Sequence, residues 1–404
     1  MRLKPVSGSS RSPTAFVIVA LAFLITMTGT TLPTAIYHDY QLQYGFATPV
    51  ITLIYAVYAV GVFGALLIVG NWSDQLGRRR MLIAGLCLSA ASAVCFLLSD
   101  GLLGLMLGRL LSGISAGIFT GTATVAVIEL VELAPPAWRQ HATLVATASN
   151  MLGLGCGPLL GGILVDIAPW PTRLPFAVHL GLVMVAILAM IGVPETVQLP
   201  HRIKLAGQKM SLPVSVRETF IPAAVAGFAG FMVIGFFAAV APELIRTELG
   251  FHGTVLIGAI VFLFFLSSAC GQVVQAHLAL PWRQPSGCLS LIVGLLGVVV
   301  CAVEESLGAL LIGTIAAGLG QGISFRAGLS DISAKSPPSQ RAEVTSSFFV
   351  ILYIAISAPV IGIGFAVQAV GIQRATIIFS SATAILVAVA LLLLIRRQAA
   401  ATAS

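Results

Sequence analysis

The feature that most constrains this chain is a succession of long apolar runs separated by short polar segments. A bilayer core is about 30 Å thick, so a helix needs about 20 apolar residues to cross it. The sequence therefore predicts an all-α membrane protein that crosses the bilayer twelve times. The predicted helices lie near residues 14–37, 48–70, 81–99, 102–127, 142–166, 174–194, 219–242, 254–275, 286–303, 307–329, 344–369 and 372–395.

The composition excludes an ordinary soluble domain. Apolar residues make up 58% of the 404 residues and charged residues 9%, whereas about a quarter of residues are charged in soluble domains. The net charge of +7 does not indicate nucleic-acid binding, because the basic residues are spread over short segments. All six cysteines lie in apolar runs without metal-like spacing, so we expect no disulfide framework, metal or cofactor.

The distribution of Lys and Arg predicts the orientation in the membrane. With a cytoplasmic N-terminus, the outer segments contain only Arg173, Arg246 and Arg374, and all other basic loop residues lie inside. We therefore predict a multi-pass protein of the inner (plasma) membrane with both termini in the cytoplasm. The basic N-terminal residues resemble the start of a signal peptide, but we find no convincing cleavage site and interpret the first run as a helix.

The chain also resembles a duplicated unit. Pro135–Arg139 returns as Pro337–Arg341, and Gly70 returns as Gly271 at nearly the same offset. The longest polar stretch lies between the two copies. We therefore predict an N-terminal six-helix bundle (residues 1–194), a cytoplasmic linker (195–218) and a C-terminal six-helix bundle (219–404) that are related by pseudo-symmetry.

The loop between the second and third predicted helices has an unusual pattern. Two glycines permit a tight turn there, and an aspartate precedes three arginines at the water interface. The arginines alone would also fit a simple topology anchor. The full pattern resembles the loop motif of the major facilitator superfamily, a superfamily of transporters. Its residues here are Gly70, Asp74, Gly77, Arg78, Arg79 and Arg80.

Arg109 lies inside the fourth predicted helix, where a charge is costly unless it faces water or a partner. The alternative is an arginine that snorkels outward and only packs. Its surroundings resemble the helix 4 motif of the same superfamily. The repeat Gly113, Gly117 and Gly121 follows it and indicates close helix packing. At the end of this helix, we expect Glu129 and Glu132 to pair with Arg139 or the arginine cluster.

The fifth predicted helix contains the pattern G-x-x-x-G-P-x-x-G-G. A proline inside a helix removes a backbone hydrogen bond, and glycines every fourth residue make a smooth face. Glycine periodicity alone would favour packing. The whole pattern resembles the antiporter motif of the superfamily's drug:proton exporters. Its residues here are Gly153, Gly157, Pro158, Gly161 and Gly162.

The resemblance implies alternating access, in which a site between two bundles opens first to one side and then to the other. It implies that Asp74, Arg78 and Arg79 latch the outward-facing state, that Arg109 assists proton coupling and that Gly157 and Pro158 shape the interface between bundles. The implied partners are a small-molecule substrate, protons and the lipid bilayer. We expect a monomer and no nucleic-acid partner.

The acidic residues depart from that pattern. Many proton-coupled exporters have a carboxylate within the membrane, whereas all fourteen acidic residues here lie in loops or near helix ends. Asp39 and Asp166, at the outer ends of helices 1 and 5, are the nearest candidates for proton coupling, and His38 is a weaker one. Each could also be a solvated end group.

The predicted cavity is apolar with few polar groups, which suits a hydrophobic or weakly cationic compound. We therefore predict proton-coupled drug efflux. The alternative is a metabolite carrier, for a sugar or amino acid, without strong proton coupling. A membrane receptor or enzyme is less well supported, because no catalytic constellation is present. The side chains predicted to line the cavity are Thr28, Thr31, Tyr55, Tyr58, Asn150, Gln321, Phe325 and Tyr353.

Overall fold

The computed structural model describes residues 12–70, 72–132, 142–167, 169–200, 207 and 209–403. Within these ranges, twelve helices are long and apolar enough to cross a membrane, which confirms the predicted number. They are α1 (Ser12–Thr31), α2 (Thr48–Val69), α3 (Arg78–Leu97), α4 (Leu102–Glu132), α5 (Ala142–Ile167), α6 (Leu174–Ile191), α7 (Val214–Ala239), α8 (Thr254–Val274), α9 (Arg283–Glu304), α10 (Leu307–Lys335), α11 (Arg341–Val370) and α12 (Ile372–Ala403).

The helices form two six-helix bundles, α1–α6 and α7–α12, which meet mainly where α5 packs on α8 and α2 packs on α11. Large apolar side chains on the outer helices remain exposed, as expected for surfaces that face lipid. We call the end that contains the 70–80 loop the basic face and the other end the opposite face. The bounds of the two bundles and of the linker remain a proposal.

Several helix ends differ from the prediction. α4, α10 and α12 extend further, to Glu132, Lys335 and Ala403, and the ends of the first and seventh spans differ as well. The α-helical part of the first span ends at Thr31, and a 3₁₀ turn (Leu32–Ala35) and a separate short helix (Tyr37–Tyr44) follow it. Pro33 explains the break, because proline has no amide hydrogen for the helical ladder. At the other site α7 begins at Val214, so residues 214–218 of the predicted linker are helical. Hydropathy detects only the apolar part of a helix that extends into the interface.

Some sequence predictions fall on residues outside the described ranges. These are the basic residues Arg2, Lys4 and Arg11, the segment Pro135–Arg139, and residues 201–206 and 208 of the linker.

Glycines let α2 and α4 approach each other closely. A Cβ atom at Gly113 would lie 2.2 Å from the Tyr58 carbonyl oxygen, and one at Gly117 would lie 2.8 Å from the Val62 carbonyl oxygen. Gly121, the third glycine of the repeat, has no neighbour within 4 Å of such an atom. The predicted packing face therefore consists of Gly113 and Gly117, and it does not include Gly121.

This difference gives a matched test of the packing. We expect Gly113→Ala to destabilise the protein by about 1–3 kcal/mol, because the added methyl group meets backbone atoms that cannot rotate away. Thermal unfolding of the purified protein in detergent should show a melting temperature lower by several degrees. Gly121→Ala is the control and should leave it unchanged or slightly higher. Equal melting temperatures for the two variants would contradict the packing.

Candidate functional site

Arg109 lies about two turns from the start of α4, and only 1% of its surface is exposed. Its Nη1 atom donates a hydrogen bond to the carbonyl oxygen of Thr30, at the end of α1. The guanidinium also lies over the rings of Tyr58 and Tyr55, at 4.7 Å and 5.4 Å from their centroids. Arg109 therefore does not snorkel outward, and its charge is stabilised by a backbone oxygen and two aromatic faces.

Aromatic side chains of the second bundle lie beside the tyrosines that surround Arg109. Tyr353 of α11 packs against apolar clusters of both bundles, one of which contains Tyr58. Its ring lies 6.4 Å from the ring of Phe231, which in turn lies 5.5 Å from the ring of Phe325. The structure thus brings four of the predicted cavity side chains to one region. They are Tyr55, Tyr58, Phe325 and Tyr353.

The amide of Gln321 lies beside this region, within the second bundle. Its side-chain oxygen accepts a 2.5 Å hydrogen bond from Ser268 of α8, and its Nε2 is buried without a partner. Ser268 also lies 3.6 Å from the sulfur of Met151, on α5 of the first bundle. Asn150, the neighbour of Met151, is half-buried. The Ser268 side chain therefore connects Gln321 to the interface between the bundles.

Thr28 and Thr31 lie elsewhere, between α1 and α5. The Thr31 hydroxyl donates a 2.7 Å hydrogen bond to the Leu154 carbonyl oxygen, and the Thr28 hydroxyl donates to Leu24 of its own helix. Leu154 lies four residues before Pro158, which lacks the amide that would bond this carbonyl. Thr31 therefore satisfies the oxygen that the proline leaves unpaired.

The glycines of α5 divide into two faces. Gly153, Gly157 and Gly161 pack against α1 and the 3₁₀ turn that follows it, and a Cβ atom at Gly157 would meet Thr31 and Leu32. Pro158 and Gly162 face α8 instead, close to Gly258 and Thr254 respectively. Contact with the second bundle therefore falls to Pro158 and Gly162, while Gly157 packs within the first bundle.

On the opposite face, the carboxylate of Asp166 joins the two bundles. It accepts hydrogen bonds from the amides of Thr254 and Val255, at 3.3 Å and 3.0 Å, and from the Thr254 hydroxyl. These are the first residues of α8, where amides have no acceptor within the helix and a negative charge is favourable. Asp166 is exposed, but it caps a helix of the other bundle.

A second group of charges bridges the bundles on the same face. His38 lies 3.6 Å from Glu243 of the short helix Ala241–Thr247. Asp39 is half-buried beside His38, and its pKa is raised because burial disfavours the charged form. The positive charges of His38 and Arg246 offset part of that increase. The structure thus places Asp39 and Asp166 in one region, where charges of both bundles act on them.

On the basic face, Arg78 is the centre of the loop. It pairs with Asp74 at 2.5 Å and with Glu129 of α4 at 3.2 Å, and it donates to the Ser73 hydroxyl. The expected pairing of Glu129 with the arginine cluster is confirmed. Arg139 and the side chain of Glu132 lie outside the described part of the chain. The pairs of Asp74 and Arg78 thus connect elements of the first bundle.

Gly77 is the position of this loop that requires glycine. Its φ is +103°, and a Cβ atom there would lie 2.3 Å from a carboxylate oxygen of Glu195. That carboxylate accepts a 2.6 Å hydrogen bond from the Arg78 amide at the start of α3. Gly70, in contrast, has ordinary helical angles and is exposed, so the expected turn does not depend on it.

The other two arginines of the loop differ. Arg79 donates to the carbonyl oxygens of Ile191 and Val193 at the end of α6, where a positive charge is favourable. Arg80 is exposed. The described bonds of Asp74, Arg78 and Arg79 stay within the first bundle and the start of the linker. If these residues latch the two bundles together, as predicted, they must do so in a conformation other than that of this structure.

Several partners in these sites were not identified from the sequence. Glu195 follows α6 without any local pattern, and Thr254 is an ordinary helix start. Thr30 contributes only its carbonyl oxygen, which every residue has. These contacts depend on the packing of distant segments, for which the sequence contains no local signal.

A model of the Major Facilitator Superfamily matches residues 14–359. Multidrug resistance protein 1 of Bacillus subtilis is 31% identical over 145 residues, which cover 35% of this chain and 35% of that protein. The class D tetracycline resistance protein of Salmonella ordonez is 33% identical over 126 residues, which cover 31% and 30% of the two chains. The drug efflux pump JefA of Mycobacterium tuberculosis is 28% identical over 214 residues, which cover 52% and 38%. Each alignment thus covers only 30% to 38% of the relative.

Two solved structures share the fold over nearly the whole chain. The human organic anion transporter MFSD10 has a TM-score of 0.65 and 20% identity, with 95% of this chain and 99% of that chain covered. A bacterial homologue of the human lysosomal transporter Spinster has a TM-score of 0.72 and 14% identity, with 96% and 97% covered.

The bond between Thr31 and Leu154 can be tested with a matched pair of variants. Thr31→Val keeps the shape but leaves the Leu154 carbonyl oxygen unpaired, so we expect a loss of about 1–3 kcal/mol in stability. Thr28→Val is the control, because its hydroxyl bonds a carbonyl of its own helix. Thermal unfolding should show a lower melting temperature for Thr31→Val alone. A similar decrease in both variants would argue against a special role of Thr31.

The raised pKa of Asp39 predicts a pH-dependent conformation. The closed opposite face holds the Asp39 proton more tightly than a state in which this carboxyl is solvated. Lowering the pH through the raised pKa should therefore favour the closed state. Spin labels at Leu42→Cys and Thr247→Cys, in a cysteine-free background, would report the distance between the bundles.

We expect a larger fraction of short distances at acidic pH, and Asp39→Asn should remove much of this change. His38→Gln separates the contribution of the His38–Glu243 contact. An unchanged pH response in Asp39→Asn would show that this carboxyl does not carry the effect.

Proposed function

Because this chain belongs to the Major Facilitator Superfamily, and is therefore a membrane transporter and not an enzyme, we propose that it exports small hydrophobic compounds by alternating access coupled to protons. The observation that carries this proposal is the arrangement of Arg109, its two tyrosines and Tyr353 between two bundles that are bonded together on the opposite face.

Alternating access requires contacts between bundles that can break and re-form. The hydrogen bonds of Asp166 to α8 and the pair of His38 with Glu243 are contacts of this kind, because each joins one bundle to the other at its end. When the opposite face opens, these groups become hydrated. We propose that Asp74, Arg78 and Arg79 then latch the bundles together at the basic face.

Proton coupling would use groups whose environment changes with the conformation. Asp39 and Asp166 meet this condition, since both are affected by charges or amides of the second bundle in the closed state. Arg109 would act from the interior by stabilising a negative or electron-rich group that approaches the tyrosines. We propose that the substrate or a deprotonated carboxyl provides that group.

The substrate class follows from the lining of the central region. Five aromatic side chains and one buried amide provide a large apolar area with few hydrogen-bonding groups, which favours hydrophobic compounds. The names of the similar proteins, multidrug and tetracycline resistance proteins and a drug efflux pump, support a drug-like substrate. A weakly cationic compound would bind the tyrosine rings rather than Arg109.

One observation keeps a second function open. Among the described residues, no carboxylate lies within 4.0 Å of the Arg109 guanidinium. A carrier of a native metabolite without strong proton coupling would need no such carboxylate. We also propose, from the basic residues of the loops, that the chain lies in the plasma membrane with both termini in the cytoplasm, and that it functions as a monomer.

The test is proton movement in proteoliposomes that contain the purified protein and an internal pH dye. Lipophilic cations and neutral drugs are added across an imposed pH gradient. We expect substrate-dependent proton flux in the native protein and at least a tenfold loss in Arg109→Ala. Arg109→Lys keeps the charge but not the planar group over the tyrosines, and it should recover only part of the flux.

Binding of the same compounds separates coupling from structure. If Arg109→Ala binds substrate like the native protein but moves no protons, Arg109 acts in coupling. Equal loss of binding and flux would assign it a structural role. Substrate uptake without proton movement in the native protein would favour the metabolite carrier.

A further inference from the structure

A pocket in the second bundle lies apart from the aromatic centre. It opens at the basic face between α7, α9, α10 and α12. Its empty space, together with the solvent at its mouth, measures about 910 Å³. Its apolar walls come mainly from residues before and at the start of α9 and from α12. They are Leu280, Pro281, Pro285 and Leu394. None of the side chains that surround Arg109 lines this pocket.

The pocket contains an unpaired carboxylate. Asp331 of α10 is half-buried, and its oxygens have no hydrogen bond or ion pair with any residue that the structure describes. Arg397 and Arg283 act on it only through longer-range attraction. A carboxylate at the edge of a membrane span is costly without a partner, so a bound cation would stabilise it.

Groups that favour an anion line the same pocket. Arg397 donates one hydrogen bond, to the Thr219 hydroxyl at 2.9 Å, and the rest of its guanidinium is available. Lys335 is exposed at the rim. The Gln284 side chain is only 3% exposed, and its Nε2 has no partner. A bound anion or strong acceptor would satisfy these donors.

We propose that this pocket binds a zwitterionic headgroup that has a primary ammonium and a phosphate, as in phosphatidylethanolamine. The ammonium would donate to Asp331, and the phosphate would accept from Arg397, Gln284 and Lys335. A phosphate alone would leave Asp331 unpaired, and an amine alone would leave the cations unpaired. A quaternary choline group cannot donate a hydrogen bond to Asp331.

The surroundings indicate that the ligand is a lipid. The walls α9 and α12 have exposed apolar side chains along their lengths, including Val293 and Leu392, so the pocket adjoins the hydrocarbon. Trp282, just before α9, is exposed at the level of the basic face, where aromatic rings contact headgroups. The apolar walls of the pocket would hold the first carbons of the acyl chains.

The experiment is native mass spectrometry of the full-length protein with phosphatidylethanolamine, phosphatidylcholine and phosphatidylglycerol of matched acyl chains. We expect binding of phosphatidylethanolamine at least tenfold tighter than binding of the other two. Asp331→Asn should remove the preference for phosphatidylethanolamine over phosphatidylglycerol. Arg397→Gln should weaken the binding of both of these lipids. Glu343→Gln and Arg396→Gln are controls on the same face that do not line the pocket, and they should change nothing.

Asp331→Glu keeps the carboxylate, so it should retain the preference even if Asp331→Asn folds poorly. Equal binding of the three lipids, or an unchanged preference in Asp331→Asn, would overturn the proposal.

Competition with soluble phosphoethanolamine distinguishes the source of the headgroup. If the soluble compound binds as tightly as the lipid, the site takes a free phosphate ester and the assignment to a lipid is wrong. These measurements read binding alone and do not depend on transport.

Discussion

The structure depends on the requirement that every backbone polar group inside a bilayer finds a partner within the protein. Helices satisfy most of these groups, and the exceptions occur where the helices are interrupted. Pro158 leaves a carbonyl oxygen in α5 without an amide, and Thr31 supplies the missing donor. The end of α1 leaves the Thr30 carbonyl oxygen unpaired, and Arg109 bonds it. The interruptions therefore fix the positions of α1, α4 and α5 relative to one another.

Polar groups and aromatic groups occupy different depths. Ion pairs of the described residues lie at the two ends of the bundles, while the region between them contains tyrosines, phenylalanines and Arg109 with its bond to Thr30. Contacts at the ends can exchange with water at modest cost, because water replaces each lost hydrogen bond. The middle can change only by sliding apolar surfaces. This division suits a protein whose ends open in turn.

The sequence predicted the helices well, because each apolar run must cross the same thickness of hydrocarbon. It also predicted that Arg109 faces a partner or a functional site inside the protein, since a charge within a membrane span is otherwise costly. It did not predict which residues pair across distant segments, such as Glu195 with the Arg78 amide. The assignment of Thr31 to a cavity missed its bond to Leu154, because helix periodicity does not show which neighbour a face meets.

The bond between Glu195 and the Arg78 amide has a consequence for how the two bundles are connected. It fixes the start of the linker to the first bundle, and the bonds between Ser211 and Ser347 fix its end to α11. About 15 residues remain between these anchors, and their covalent length allows a span of at most roughly 50 Å. The connection thus sets an upper limit on how far the bundles can part, whereas the helix contacts and the bonds of the opposite face hold them together at closer range.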